Sequence, residues 1–292
     1  MAAQAKVNLL LRVLAREESG FHSIETIFLR LDLADDVVVR AGEGVRGRAL
    51  DVRGEGDHAS LTGPTEQNLA YRAAIAYGEA TGWPTGFAIE LTKRIPVGGG
   101  LGGGSSDAGA VLRALDALSP NPLGTRIVEL ASGLGSDVSF LAQDSPMALA
   151  WGRGERLFPL AVLASRPLML FVPPFRVATK DAYGWLAAER GSYVPRGAVV
   201  RQSDADTWEG VTAIAQNEFE GVVGRRHREI SFLVDSLRQH GAFLSLMSGS
   251  GSTVFGVFDD DEAARRAAAG AGGGVRALLT RTAERVARVE VA

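Results

Sequence analysis

The chain contains no cysteine. Disulfides, thiolate metal sites and a thiol nucleophile are thereby excluded, and a reducing, cytoplasmic setting is expected. Long apolar runs are missing too: no stretch approaches about 20 residues, and the N-terminal MAAQAKVNLLLRV lacks the apolar core of a signal peptide. Nor is there a large excess of one charge, since 34 acidic and 31 basic residues give a net charge of -3 and a pI near 5.9. No general attraction to nucleic acid or to an anionic membrane follows. The expected partner is a small molecule, and any phosphate must be held by local geometry.

Glycine, by contrast, is concentrated. Residues 95–110 read IPVGGGLGGGSSDAGA, and six of the seven residues from Gly98 to Gly104 are glycine. An apolar strand pattern, Phe87 to Leu91, precedes the run. VLRALDAL follows it with helical spacing, and Pro120 and Pro122 end that helix. Ser105, Ser106 and Asp107 are residue types that cap a helix start. A bare backbone leading into a helix N-terminus can approach an anion closely, so a phosphate is the expected guest. A flexible linker or a tight turn is the plainer alternative. The dinucleotide spacing G-x-G-x-x-G is matched at Gly98, Gly100 and Gly103, but six glycines match many templates. The expected ribose-binding acid is absent, since Asp116 falls within the helix. A P-loop requires lysine where Ser105 follows Gly104. The loop therefore points to a nucleotide phosphate site of another architecture.

Along the chain the pattern alternates strand and helix, as in an α/β protein. Two strands are expected between Ile24 and Arg40, with a turn at Ala34–Asp36, and an exposed hairpin around ALDVRG within 40–63. A helix from Asn68 is closed by Gly82 and Pro84. Later come a strand at Pro167–Val172, a helix at VATKDAYGWLAAER, helices through TAIAQNEFEGVV and EISFLVDSLRQHG, and a strand–turn–strand at SLMSGSGSTVFGVFD. The tail from Asp260 reads as a helix, a glycine loop and a final strand pair. The length and a shift in composition near Pro159 suggest two domains, 1–158 and 159–292.

Three motifs occur in order: Ala5-Lys6-Val7-Asn8-Leu9, with Gln4 in place of a proline; Pro96 to Ser106; and Met247 to Ser252. Together they resemble the galactokinase, homoserine kinase, mevalonate kinase and phosphomevalonate kinase (GHMP) superfamily. Within it, GGGLGGGSSDA, Gly20-Phe21-His22, Leu134 to Val138, Gly152 to Glu155 and Asn217 to Glu220 resemble the 4-diphosphocytidyl-2-C-methyl-D-erythritol kinase family. The similarity runs from about Ala5 to Asp259. Phe21 stands for the usual tyrosine and Ser139 where proline is common. The resemblance implies a two-domain α+β fold, each domain two-layered, with an N-terminal ATP-binding domain and the active site in the inter-domain cleft. It implies an ATP- and Mg²⁺-dependent kinase that phosphorylates a 2-hydroxyl on the non-mevalonate route to isoprenoid precursors. Other kinases of the superfamily, acting on homoserine, mevalonate or a sugar, and a non-catalytic nucleotide sensor are the alternatives.

The same resemblance assigns roles residue by residue. Pro96, Gly98, Gly99, Gly100, Leu101, Gly102, Gly103, Gly104, Ser105 and Ser106 cradle the ATP phosphates, and Ser105 or Ser106 can lend an oxygen to Mg²⁺. Asn68 and Lys93 lie around adenine and ribose, unless they are merely solvated. Lys6 and Asp137 meet at the acceptor hydroxyl. A carboxylate within hydrogen-bond reach accepts the proton of an alcohol, and a neighbouring lysine favours its ionised form and offsets charge on the transferred group. A helix cap is the alternative role of Asp137. His22 bonds the cytosine ring, Phe21 and Tyr183 sandwich it, and Asn8 and Thr179 hold the erythritol hydroxyls or diphosphate.

Overall fold

The computed structural model describes residues 1–16, 22–54, 63–191 and 200–291. Lys6–Val13, a segment whose sequence alternates weakly, belongs to a longer strand, β1 (Ala2–Arg16), paired antiparallel with β2 (His22–Ala41). β2 is one continuous strand of 20 residues, not two. No turn forms at Ala34–Asp36, because β1 pairs across that region and the irregularity is absorbed as a register shift between Gln4 and Lys6. Along its other edge β2 pairs first with the strand Met147–Gly152 and then with the strand Phe87–Lys93.

β3 (Arg48–Gly54) also departs from expectation. It runs parallel to β4 (Phe87–Lys93) instead of folding into a hairpin, and α1 (Leu69–Thr81) lies in the crossover between them. Asn68 caps α1 by accepting from Ala70 N, and Gly82, with φ +73°, ends it. Then follow α2 (Gly103–Leu118), α3 (Ile127–Ser132), α4 (Ser136–Ala142) and the hairpin β5 (Met147–Gly152) and β6 (Arg156–Pro159). Gly109 lets α2 meet α4: a Cβ there would lie 2.6 Å from the Leu141 backbone.

The second half contains β7 (Pro167–Val172), α5 (Thr179–Arg190), α6 (Trp208–Ile214), a two-residue β8 (Gln216–Asn217), α7 (Glu218–Arg226), α8 (Arg228–Gln239), β9 (Leu244–Met247), β10 (Val254–Val257), α9 (Asp261–Ala267) and β11 (Arg276–Arg281). The helix expected through TAIAQNEFEGVV is therefore interrupted by β8, which joins β1 in parallel. The expected final strand pair is the single strand β11, lying on β7. One sheet has the order β3-β4-β2-β1-β8 with β5 and β6 off β2; the other is β11-β7-β10-β9.

Side-chain alternation sets the layers. Ala5, Val7 and Leu9 of β1 share a core with Leu168, Leu170, Leu244, Leu246, Phe255 and Val257, so the sheets meet face to face. The intervening β7 residues, Met169 and Phe171, pack with α7, α8 and α9. On the far side of the first sheet, Phe87, Ile89 and Leu91 pack against α1 and α2. Each sheet carries helices on its outer face.

Candidate active site

The face of β1 opposite Ala5 and Val7 carries Lys6 and Asn8. A register shift between Asn8 and Leu10 then changes the alternation, so that Leu11 faces the same side as Lys6 and Asn8. These side chains line a cavity of about 720 Å³ built from both halves of the chain. The Lys6 ammonium, only 3% exposed, lies 3.2 Å from Asp137 Oδ2, donates to Asn8 Oδ1 at 2.8 Å, and stands 5.4 Å from the Phe28 ring centre. Asn8 donates to Thr26 Oγ1, which donates to Leu10 O, so the amide is fixed in orientation. Asp137 lies in the first turn of α4, behind Gly135 at the cap position, and no side chain caps the helix. Asp137 is therefore not its cap. The opposite end of α4 is held by the buried Arg30 guanidinium, which donates to Phe140 O and Gln143 O. Burial, aided by Arg113, pulls the Arg30 pKa down to about 9.

The glycine loop stands beside this pair. Lys6 N donates to Leu101 O, and a Cβ on Gly102 (φ +72°) would lie 3.0 Å from Lys6 Cγ. On its other side the loop meets the third motif backbone to backbone. A Cβ on Gly100 would stand 2.1 Å from Ser248 O; Ser248 Oγ donates to Gly100 O, and Thr253 N donates to Gly99 O. Asn217 secures the third motif by donating to Met247 O and Gly249 O, and Glu220 accepts from Met247 N. Glu218 accepts from Val13 N and pairs with Arg190, so the segment Asn217–Glu220 joins both halves behind the site.

Several sequence expectations need correction. α2 begins at Gly103 with Gly102 at the cap position, so Ser105, Ser106 and Asp107 lie inside the helix and cap nothing. Ser106 is buried, and its single hydroxyl proton is shared between Gln4 O at 2.8 Å and Gly102 O at 2.9 Å. Ser105 remains partly accessible. Lys93 is not solvated: it is 3% exposed and pairs with both Asp35 and Asp107 beneath the loop. Burial opposes its charge, but Asp107 and then Asp35 outweigh this and hold its pKa above the ordinary value. In the same cluster burial pushes Asp107 up to about 7, with Lys93 acting against the rise. Leu101 and Pro96 are buried, Leu101 in the inter-sheet core. Asn68 is the α1 cap.

Of the residues expected to bind the acceptor, Asn8, His22, Thr179 and Tyr183 all line the cavity; Phe21 lies outside the described residues. His22 itself stacks on Tyr183, with ring centres 4.4 Å apart at 22°, and Phe219 meets Tyr183 edge-on. The Tyr183 face presented to His22 is thus occupied by imidazole and not free for a base. Burial and the Asp137 charge push the Tyr183 hydroxyl up to about 12, which keeps it a hydrogen-bond donor. Thr179 Oγ1 is 3.0 Å from Ser250 Oγ of the third motif. The cavity also includes Ser136, Arg153, Lys180 and Ser250, to which the sequence alone attached no role. Arg153 and Ser250 sit in motifs already singled out, whereas Lys180 had only its place beside Thr179 as a signal.

Gln4, the residue in place of proline, is buried and uses both ends of its amide. Nε2 donates to Arg285 O, and Oε1 accepts from Ala287 N. A proline there makes neither bond, so this chain ties its C-terminal segment to β1 two residues from Lys6.

Comparison with known proteins agrees with this arrangement. The model for the GHMP kinases N terminal domain matches residues 68–149, and that for GHMP kinases C terminal matches 199–273. The 4-diphosphocytidyl-2-C-methyl-D-erythritol kinase of Shouchella clausii is 37% identical over 262 residues, 88% of this chain and 84% of that protein. Its namesake from Nitratidesulfovibrio vulgaris is 38% identical over 266 residues, 87% of each. A crystal structure of 4-(cytidine 5'-diphospho)-2C-methyl-D-erythritol kinase superposes with a TM-score of 0.73 at 38% identity, covering 97% of this chain and 98% of that one. Mevalonate kinase from L. major, at 14% identity and a TM-score of 0.69, shares the fold. With its three motifs gathered around one cavity and this degree of similarity over most of its length, the chain belongs to the 4-diphosphocytidyl-2-C-methyl-D-erythritol kinase family of GHMP kinases.

Proposed function

We propose that the protein transfers the γ-phosphoryl group of ATP to the 2-hydroxyl of 4-diphosphocytidyl-2-C-methyl-D-erythritol, on the non-mevalonate route to isoprenoid precursors. The observation that carries this reading is the Lys6–Asp137 pair, held on the cavity floor beside a glycine loop. Phosphoryl transfer requires positioning and charge stabilisation more than covalent help. Asp137 accepts the hydroxyl proton as attack proceeds; Lys6, fixed by Asn8, faces the transferred group. Gly98 to Gly104 and the uncapped N-terminus of α2 supply a bare, electropositive backbone for the phosphates.

Residues 1–158 form the ATP-binding unit in this reading, and 159–292 close the acceptor side with Thr179 and Tyr183. Mg²⁺ would accompany ATP and neutralise phosphate charge, and Ser105, the more accessible of the two loop serines, would be the residue to lend it an oxygen. No helix among the described residues is long and apolar enough to cross a membrane, in keeping with a proposed cytoplasmic location.

The test is a phosphorylation assay with Mg·ATP and four alcohols. Turnover of 4-diphosphocytidyl-2-C-methylerythritol should far exceed that of homoserine, mevalonate or galactose. Equal or better turnover of any of these three sinks the acceptor assignment and leaves the kinase assignment standing. No turnover of any of them by folded protein, with ATP bound, favours a sensor.

A further inference from the structure

The cations around the glycine loop are already neutralised. Lys6 is paired with Asp137, Arg94 with Asp36, and Lys93 shares a buried cluster with two carboxylates. The last of these carries a net negative formal charge when both acids are ionised, directly under the backbone that meets the phosphates. Among the described residues, the cations named here that stand in the loop's own half are thus compensated before an anionic triphosphate arrives.

One comes from the other half. Arg176 lies in the connection from β7 to α5, and its side chain runs along Gly98: a Cβ on that glycine would stand 2.9 Å from Arg176 Cδ and 3.1 Å from Nε. Gly98 and Arg176 are both exposed. The exposed arginines Arg40, Arg53, Arg225 and Arg266 each have a carboxylate partner. Arg176 has none among the described residues. Its guanidinium can present paired donors to phosphate oxygens, a geometry lysine does not match.

We infer that Arg176 is a nucleotide-binding residue that closes over the glycine loop from the second half of the chain and binds phosphate oxygens of ATP. The inference rests on the loop being the ATP-phosphate site. Substituting Arg176→Ala should raise KM for ATP by roughly ten-fold, the loss of a charge-assisted contact, while kcat and KM for the alcohol stay within about two-fold. Arg176→Lys should fall between the two proteins. The rise of KM for ATP with ionic strength should be shallower in Arg176→Ala, because one screened attraction is gone. A KM for ATP within about two-fold of the parent protein, or a rise confined to the alcohol, overturns the inference. Gly102→Val separates the two readings. If it weakens ATP binding while Arg176→Ala does not, only the role of Arg176 falls; if neither does, the loop assignment falls with it.

Discussion

Lys6 and Asp137 form an ion pair of 3.2 Å in which one partner is almost wholly buried and the other is one-third exposed. The lysine is immobilised by Asn8 and the strand, while the carboxylate keeps an open side toward the cavity. That asymmetry suits a fixed cation and an acceptor able to meet a hydroxyl. A pair serving stability alone has no need of a cavity beside it.

Asp137→Asn keeps the size of the side chain but removes its charge and its ability to take a proton. The substitution should lower kcat by roughly two to four orders of magnitude, the range for loss of a general base. Dissociation constants for ATP and the alcohol should change little, since the carboxylate matters most as the proton leaves. Lys6→Met should also lower kcat, and the double variant should lose less than the sum of the two losses. A folded Asp137→Asn protein with kcat within about three-fold of the parent would falsify the assignment.

Gly102 couples the phosphate loop to this pair. It is left-handed, and a side chain there meets Lys6 at Cγ and Cε. Gly102→Val should therefore do two things: weaken ATP binding through the loop, and reduce kcat through Lys6. A shift of the lysine by about 1 Å is enough for a ~10²-fold loss. Steady-state kinetics with each substrate varied in turn measures both. Unchanged ATP affinity in a folded variant means that the loop is structural.

Local signals in the sequence were legible where the chemistry is local. Asn68 and Gly82 bound α1 because a cap and a left-handed stop are properties of a few residues. The alternation at Lys6–Val13 marked β1 for the same reason. Long-range pairing was not legible: β2 reads as two strands only when β1, which spans Ala34–Asp36, is left out of account. The parallel partner of β3 likewise depends on a crossover through α1. Lys93, placed by resemblance around adenine and ribose or else in solvent, gave no sign of its ion pairs, because Asp35 and Asp107 lie 58 and 14 positions away. The meeting of Lys6 with Asp137 came from family resemblance, not from spacing. Arg176 belongs to no motif; only the folded contact with Gly98 reveals it.

The Lys93 cluster makes stability depend on pH in an unusual direction. Two buried carboxylates share one ammonium, so burial favours keeping a proton on Asp107, whose pKa is pushed up to about 7. In the unfolded chain the same carboxyl titrates near ~3.9. Between these values the native state binds a proton that the unfolded state has released, so Asp107 favours folding at low pH and this contribution is lost as pH rises toward 7. Asp107→Asn removes the titration and leaves Lys93 paired with Asp35 alone. Melting temperatures measured from pH 5 to 8 should therefore rise for Asp107→Asn relative to the parent protein, by on the order of 5 °C across the window. Melting curves whose midpoints keep a constant separation over that range would show that Asp107 is already ionised in the folded protein at pH 5.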